Sequence, residues 1–503
     1  MPIGRLILRA TPVAVLLFCA PDLGAQDSTP QVVVQWNAIR SVSKTTPTLQ
    51  VVVNPPLRRG TAVHDGAFQT LHDIGADYVR YVPWLPYPRL GVAELEPPKD
   101  GKTSWNLSLI DPMTIDFLDA TRGHSVVLNF STIPQWMYKT EKPLSYPDDP
   151  DAPVWDYEQG TELRDPSGKE VADYYARLLA WYTKGGFTDE LGARRDSGYH
   201  YSIPYWEVLN EVDSEHRFSP QAYARLYDTI VSEMARVQPE MKFVGVSLAL
   251  PGQNPEFFEY FLDHKNHRPG IPLDYISYHF YAIPAPDETL DVQQHTVFAQ
   301  ADGFLNTVRY IESIRKRLSP ETGTMINEIG IISADDGLQE QPGHVTKPIP
   351  DAYWNLAGAE YAYIFGNLAE MGIDVAGQSQ LVGYPTQYPS VSMVDWNDGR
   401  PNARVWVLRL LRENFAPGDR IVEISPFAQP YVYGLAVVTR TGVRRLLLVN
   451  KRNRDVSISV AGAAGSQVES VDVTTGFKPP LKAKLSSDGL MLYGFAVSLI
   501  TLP

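Results

Sequence analysis

Tyr205-Trp-Glu-Val-Leu-Asn-Glu211 and Thr324-Met-Ile-Asn-Glu328 are the two stretches on which the fold turns. Each is a short β-prone run that stops at an Asn-Glu pair. Their glutamates stand 117 positions apart, so they belong to different structural units. Working outward, short β-rich runs alternate with amphipathic stretches, the pattern of parallel βα units. Strands are expected at Leu49–Val53, Asp77–Val82, Ser125–Phe130, Tyr205–Asn210, Met241–Val246, Leu273–Tyr278, Thr324–Asn327 and from Asp374 to Gly377. Helices are expected at Asp65–Ile74, Asp111–Thr121, Glu170–Lys184 and Pro401–Asn414, with another opened by Ser219 as N-cap and Pro220 at its first position. Eight such pairs predict an α/β protein, a (β/α)8 TIM barrel, over residues 48–415.

Beyond Phe415-Ala-Pro-Gly-Asp419 the helical period disappears. Tyr431–Thr439, Arg445–Asn450, Val456–Val460 and Val468–Val473 are short, β-branched and separated by Gly, Asn or Ser, which predicts a small C-terminal antiparallel β-sandwich over residues 416–503. The segment 26–47 contains Val32-Val-Val34, a possible strand of that sandwich. Residues 1–25 read as a signal peptide. Arg5 and Arg9 precede an apolar run from Pro12 to Ala20, and Gly24-Ala25 supply small residues before Gln26. The expectation is a secreted or periplasmic protein. Cys19, the single cysteine, falls in this segment behind the bulky Phe18, so neither a lipid anchor nor thiol chemistry is expected. No later stretch is apolar enough for a membrane anchor.

With 44% hydrophobic and 20% charged residues the chain can bury a large core. A net charge of -14 leaves no cationic surplus for a nucleic-acid partner. The ten histidines lack metal-ligand spacing on a helix, no phosphate-cradling glycine loop follows a strand, and no Gly-x-Ser-x-Gly elbow occurs. No metal and no cofactor are expected. Asp148-Asp-Pro-Asp151 lacks the spaced oxygens of a calcium loop and reads as a solvated turn. Ser333–Pro350, rich in Gly, Pro and Asp, reads either as a substrate-shaping loop or as a disordered excursion. Oligomeric state is not legible.

Barrel chemistry sits at the C-terminal ends of the strands, and that rule selects Glu211 and Glu328 from the many carboxylates. Two facing carboxyl groups suit glycoside hydrolysis: one donates a proton to the leaving oxygen, while the other attacks the sugar or activates water. Arg80 near them would hold one ionised, or form a structural rim pair. Tyr281 could donate to Glu328 or merely pack, and His279 could be a rim histidine. Trp84, Trp136 and Trp155 lie in loops after the second and third strands, where flat rings could stack on sugars or pack.

Leu209-Asn-Glu-Val-Asp213 resembles a variant of the Trp-Asn-Glu-Pro motif of the barrel glycosidase clan with glutamates on strands four and seven. Leu273-Asp-Tyr-Ile-Ser-Tyr-His279 resembles the sixth strand of glycoside hydrolase family 39, the β-xylosidases and α-L-iduronidases. The resemblance spans roughly residues 51–415. It implies a retaining mechanism with Glu211 as acid/base and Glu328 as nucleophile. It also implies Asn210 on the sugar 2-hydroxyl, Arg80 supporting the nucleophile, and His279 and Tyr281 beside it. Leu209 stands where the motif has Trp, Val212 where it has Pro, and Gly377-Gln-Ser-Gln-Leu381 offers no Trp at the eighth strand. The leading expectation is an exo-acting retaining glycosidase on β-xylosides or α-L-arabinosides of an oligosaccharide or polysaccharide. A uronic-acid glycosidase, an endo-glycanase and a non-catalytic carbohydrate-binding protein are the alternatives.

Overall fold

The computed structural model describes residues 29–140, 145–155, 157, 160–338 and 344–503. The signal-peptide reading and Cys19 lie outside them, as do five residues of the Ser333–Pro350 loop. Eight parallel strands close into a barrel in chain order: Thr46–Val52, Val79–Val82, Val126–Leu128, Tyr205–Glu207, Lys242–Leu248, Tyr275–Ala282, Gly323–Ile331 and Val375–Gln378. They are called the first to eighth barrel strands below. The first pairs with the eighth through Thr46 and Val375. Helices His64–Ile74, Asp111–Ala120, Lys169–Thr183, Pro220–Val237, Glu256–Phe261, Leu290–Leu318, Asp351–Met371 and Ala403–Asn414 alternate with the strands. Ser219 caps the fourth of these, its side chain accepting from the Ala222 N–H, with Pro220 in the first turn. Among the described residues no helix is long and apolar enough to cross a membrane.

The barrel interior is stratified. Val127, Val244, Met325 and Val375 form a buried apolar plug, floored by the mutually packed rings of Tyr78, Tyr205 and Tyr275. Above it lies a polar layer. Glu207, fully buried, accepts from Arg80 Nε (2.5 Å), Asn129 Nδ2 (2.6 Å), Ser277 Oγ (2.5 Å) and Asn327 Nδ2 (2.7 Å). Four donors, three on the second, sixth and seventh strands and one just past the third, satisfy a charge that would otherwise be prohibitive at this depth. The register between the sixth and seventh strands shifts between Tyr278 and His279, which sets His279 opposite Glu328. Such irregularities re-aim side chains near functional sites.

The C-terminal part is a two-sheet sandwich. One antiparallel sheet runs, edge to edge, through Leu481–Lys484, Gln467–Val471, Val497–Leu502, Arg444–Asn450, Val432–Val438, Arg420–Ile424 and Val34–Val42. The other joins Gln31–Val32, Val456–Val460 and Gly489–Leu492. The segment before the barrel thus contributes a strand to each sheet. Val32, Leu446, Leu448, Ile458, Val460 and Ile500 are among the residues that fill the space between them. The sandwich docks on the barrel helices: Trp406 Nε1 donates to Phe477 O (2.9 Å), and Asn453 N to Gln294 Oε1 (2.8 Å).

Candidate active site

The fourth strand ends in a twist. Leu209 and Glu211 both take positive φ, 65° and 42°, a conformation that costs a non-glycine residue about 1–2 kcal/mol. Such strain gathers where surrounding structure fixes a functional side chain. Glu211 is 23% exposed at its side chain, with Oε1 3.0 Å from His279 Nδ1 and Oε2 accepting from Ser214 Oγ (3.2 Å). Glu328 sits inside the seventh strand, not at its end, because the ladder continues to Ile331. Its Oε1 accepts from Arg80 Nη1 and its Oε2 from the Tyr281 hydroxyl, both at 2.5 Å. His279 Nε2 lies 3.6 Å from Glu328 Oε1, and one oxygen of each glutamate lies within 4.8 Å of the other.

Arg80 fixes the arrangement from below. It is 1% exposed and donates to Glu207, to Glu328, to Gln50 Oε1 (2.6 Å) and to Asn210 Oδ1 (2.6 Å). Each arm of the guanidinium is committed, so Arg80 supports the site without reaching the cavity. Burial works to raise the Glu328 pKa, but His279, Arg80 and the hydrogen bonds from Tyr281 and Arg80 outweigh it and hold the carboxyl below its ordinary range. Burial opposes protonation of His279, and the Glu328 and Glu211 carboxylates overcome this, raising its pKa. Burial first, then Glu328, push the Tyr281 hydroxyl well up, so it stays a donor.

Glu211, His279 and Glu328 offer three donor atoms close enough for a metal ion. The set fits one poorly. Both Glu328 oxygens are already held by cationic or hydroxyl donors, and His279 is drawn toward its protonated form by the two carboxylates.

A cavity of ≈ 170 Å³ opens above the pair, lined by Gln50, Trp84, Asn210, Glu211, Tyr281, Glu328, Gln380 and Tyr388 with Val52, Val82, Ile332 and Val391. Trp84 makes one wall, edge-on to Trp155 (5.6 Å) and tilted against Tyr388 (6.1 Å). Trp136 is absent from this lining; its indole donates to Glu94 O and carries the Arg164 guanidinium at 4.5 Å. A larger recess, ≈ 760 Å³, lies elsewhere, around the loop before Lys169–Thr183 and the segment 265–269, away from both glutamates.

Sequence reasoning missed two carboxyl groups. Glu207 lies within the predicted fourth strand, and none of its partners Arg80, Asn129, Ser277 and Asn327 is near it in sequence. Glu215 lies in the loop after the fourth strand, where a turn returning Ser214 and Glu215 N–H groups to Glu211 O brings it under the site. Its Oε1 accepts from Trp84 Nε1 (2.6 Å) and Asn210 Nδ2 (2.8 Å). No periodicity announces such a turn.

No family model matches the sequence, and a search of curated proteins finds no match. The fold recurs in solved structures. The GH51 arabinofuranosidase from Xanthomonas axonopodis pv. citri is 13% identical with a TM-score of 0.59, over 94% of this chain and 99% of that one. The family 51 α-L-arabinofuranosidase from Bifidobacterium longum is 12% identical with a TM-score of 0.62, over 95% and 100%. The GH30 endoxylanase from Clostridium papyrosolvens C71 is 13% identical with a TM-score of 0.55, over 94% and 100%. The chain is therefore a (β/α)8 barrel with a C-terminal β-sandwich, built like these GH51 and GH30 glycoside hydrolases. At such identities the likeness concerns architecture, and these matches do not single out family 39.

Proposed function

We propose that the protein is a retaining glycosidase that removes one neutral sugar from a chain end, β-xylosides and α-L-arabinosides being the preferred class. The observation that carries this reading is the pair Glu211 and Glu328, within 4.8 Å of each other and held in unequal ways. Retaining enzymes hold their carboxyl groups about 5–5.5 Å apart, whereas about 6.5–9.5 Å leaves room for an attacking water. Glu328, anchored and ionised, is the nucleophile. Glu211, partly open to solvent, exchanges protons and serves as acid/base.

In the first step a Glu328 oxygen bonds to the anomeric carbon as the glycosidic C–O bond breaks. The Glu211 proton moves to the departing oxygen. In the second, water attacks the anomeric carbon, gives its proton to Glu211, and the ester bond to Glu328 breaks. Arg80 and Tyr281 hold Glu328 in place throughout.

The cavity supports exo action on a small sugar. At ≈ 170 Å³ it is below the roughly 300–1,000 Å³ of ordinary ligand pockets, room for a single ring. Its described lining contains no Lys or Arg, so an acidic sugar would meet carboxylates without a cation to bind it. Arg5 and Arg9 ahead of the apolar run from Pro12 to Ala20, with Gly24-Ala25 behind it, support export to the periplasm or medium; N-terminal sequencing of exported protein should begin near Gln26.

The test is hydrolysis of an aryl-glycoside panel, including β-xyloside, α-L-arabinosides, β-glucoside, β-galactoside and α-L-iduronide, by wild type and E328A. Proton NMR follows the first-formed anomer. Cleavage with retention by wild type and none by E328A is expected. Inversion, or an active E328A, would sink the assignment.

A further inference from the structure

Glu215 has no part in the two chemical steps, yet it touches two residues of the cavity wall. Its Oε1 accepts from both Asn210 Nδ2 and Trp84 Nε1, while its buried Oε2 has no partner among the described residues. The other end of the Asn210 amide is also fixed, since Oδ1 accepts from Arg80 Nη2 (2.6 Å) and Ser247 Oγ (3.3 Å). The amide cannot flip without placing its NH2 against the guanidinium. One N–H of Nδ2 goes to Glu215, and the other remains for a bound hydroxyl, because Asn210 lines the cavity next to Glu211. Trp84 gains an equal constraint: its N–H is tied to Glu215, and its ring stands against Tyr388 in the wall.

We infer that Glu215 is a positioning residue that, by accepting from Asn210 and Trp84 at once, sets the amide and the indole between which the sugar is held. This rests on the glycosidase reading above. Burial, with the Glu211 and then the Glu328 carboxylate adding to it, raises the Glu215 carboxyl well above its ordinary range against the hydrogen bonds from Asn210 and Trp84. A neutral acceptor in that position serves as well as a carboxylate, which makes glutamine its natural mimic.

The experiment compares E215Q, E215D and E215L on whichever aryl glycoside the wild type cleaves, with thermal melting of each. E215Q keeps an acceptor at the same reach and is expected to retain kcat. E215D withdraws the acceptor by one methylene, and E215L deletes it. Both should lower kcat, E215L by about 10- to 100-fold with KM moved less, the scale of a displaced positioning group. Combining E215L with N210A should cost much less than the product of the single losses, because both act through one amide. Should E215L fail to fold, the contrast between E215D and E215Q carries the test. Equal damage from E215Q and E215D, or no damage from E215D and E215L in an active enzyme, overturns the inference alone. A wild type silent on every glycoside removes the glycosidase reading and this inference with it.

Discussion

At the scale of single residues the site is an exercise in holding one carboxyl charged. The Tyr281 hydroxyl gives Glu328 a hydrogen bond that favours the ionised form. Y281F should therefore raise the Glu328 pKa and move the acid limb of the kcat/KM profile to higher pH. The rate at the optimum should fall about 10- to 100-fold, the worth of a hydrogen bond to a charged group. An unmoved acid limb would mean that Glu328 is not the group titrating there. Arg80 is different in kind. It neutralises Glu207 as well as Glu328, so R80M leaves a buried charge unpaired and should cost about 3–5 kcal/mol of stability in denaturant titration. Glu211 and Glu328 were readable because each terminates or interrupts an apolar β run at the barrel mouth. Glu207 was not, since a glutamate in mid-strand contradicts the apolar rule until Arg80, Asn129, Ser277 and Asn327 are seen to converge on it.

Among elements, the strands were legible and their ends were not. Hydrophobic runs locate a buried parallel strand, but the ladder of the fourth stops at Glu207 because the backbone turns left-handed at Leu209. The seventh instead runs past Glu328 to Ile331. The hairpin of Gly186–Thr188 and Arg194–Asp196 carries no alternation and was not anticipated. Gly377, in the eighth strand, shows how closely strands meet beneath the site: a Cβ there would stand 2.9 Å from Asn327 O and 3.0 Å from its Cα. Backbone cannot swing aside as a side chain can. G377A should cost about 1–3 kcal/mol through overpacking and depress activity further by displacing Glu328. A variant with wild-type melting and kinetics would contradict this contact.

For the whole molecule, buried acids set the response to pH. Burial, helped by the neighbouring Glu190, raises the Glu94 carboxyl to about 9, and burial raises Glu360 to about 8. An unfolded glutamate titrates near about 4.3, so between there and the raised values the folded chain keeps protons that the unfolded chain releases. The stability that these two groups contribute is then fullest in acid and declines as pH rises toward about 9. Thermal melting from pH 5 to pH 9 should show the fall, and E94Q and E360Q should each flatten it; a level wild-type profile would be the contrary result. Barrel and sandwich were both evident from the switch between alternating and purely β patterns. The double destination of the first segment was not, because strand partners far apart in sequence leave no local mark.

That segment has a consequence in time. Val34–Val42 is synthesised before the barrel, and its partner, Arg420–Ile424, after it. At roughly 5–20 residues per second the wait is on the order of tens of seconds. Throughout it, an unpaired strand rich in hydrogen-bonding backbone stands open while the barrel assembles behind it. Completion of this sheet is thus a meeting of segments from either side of the barrel, and any chaperone that guards the nascent chain has its longest duty at the earlier one.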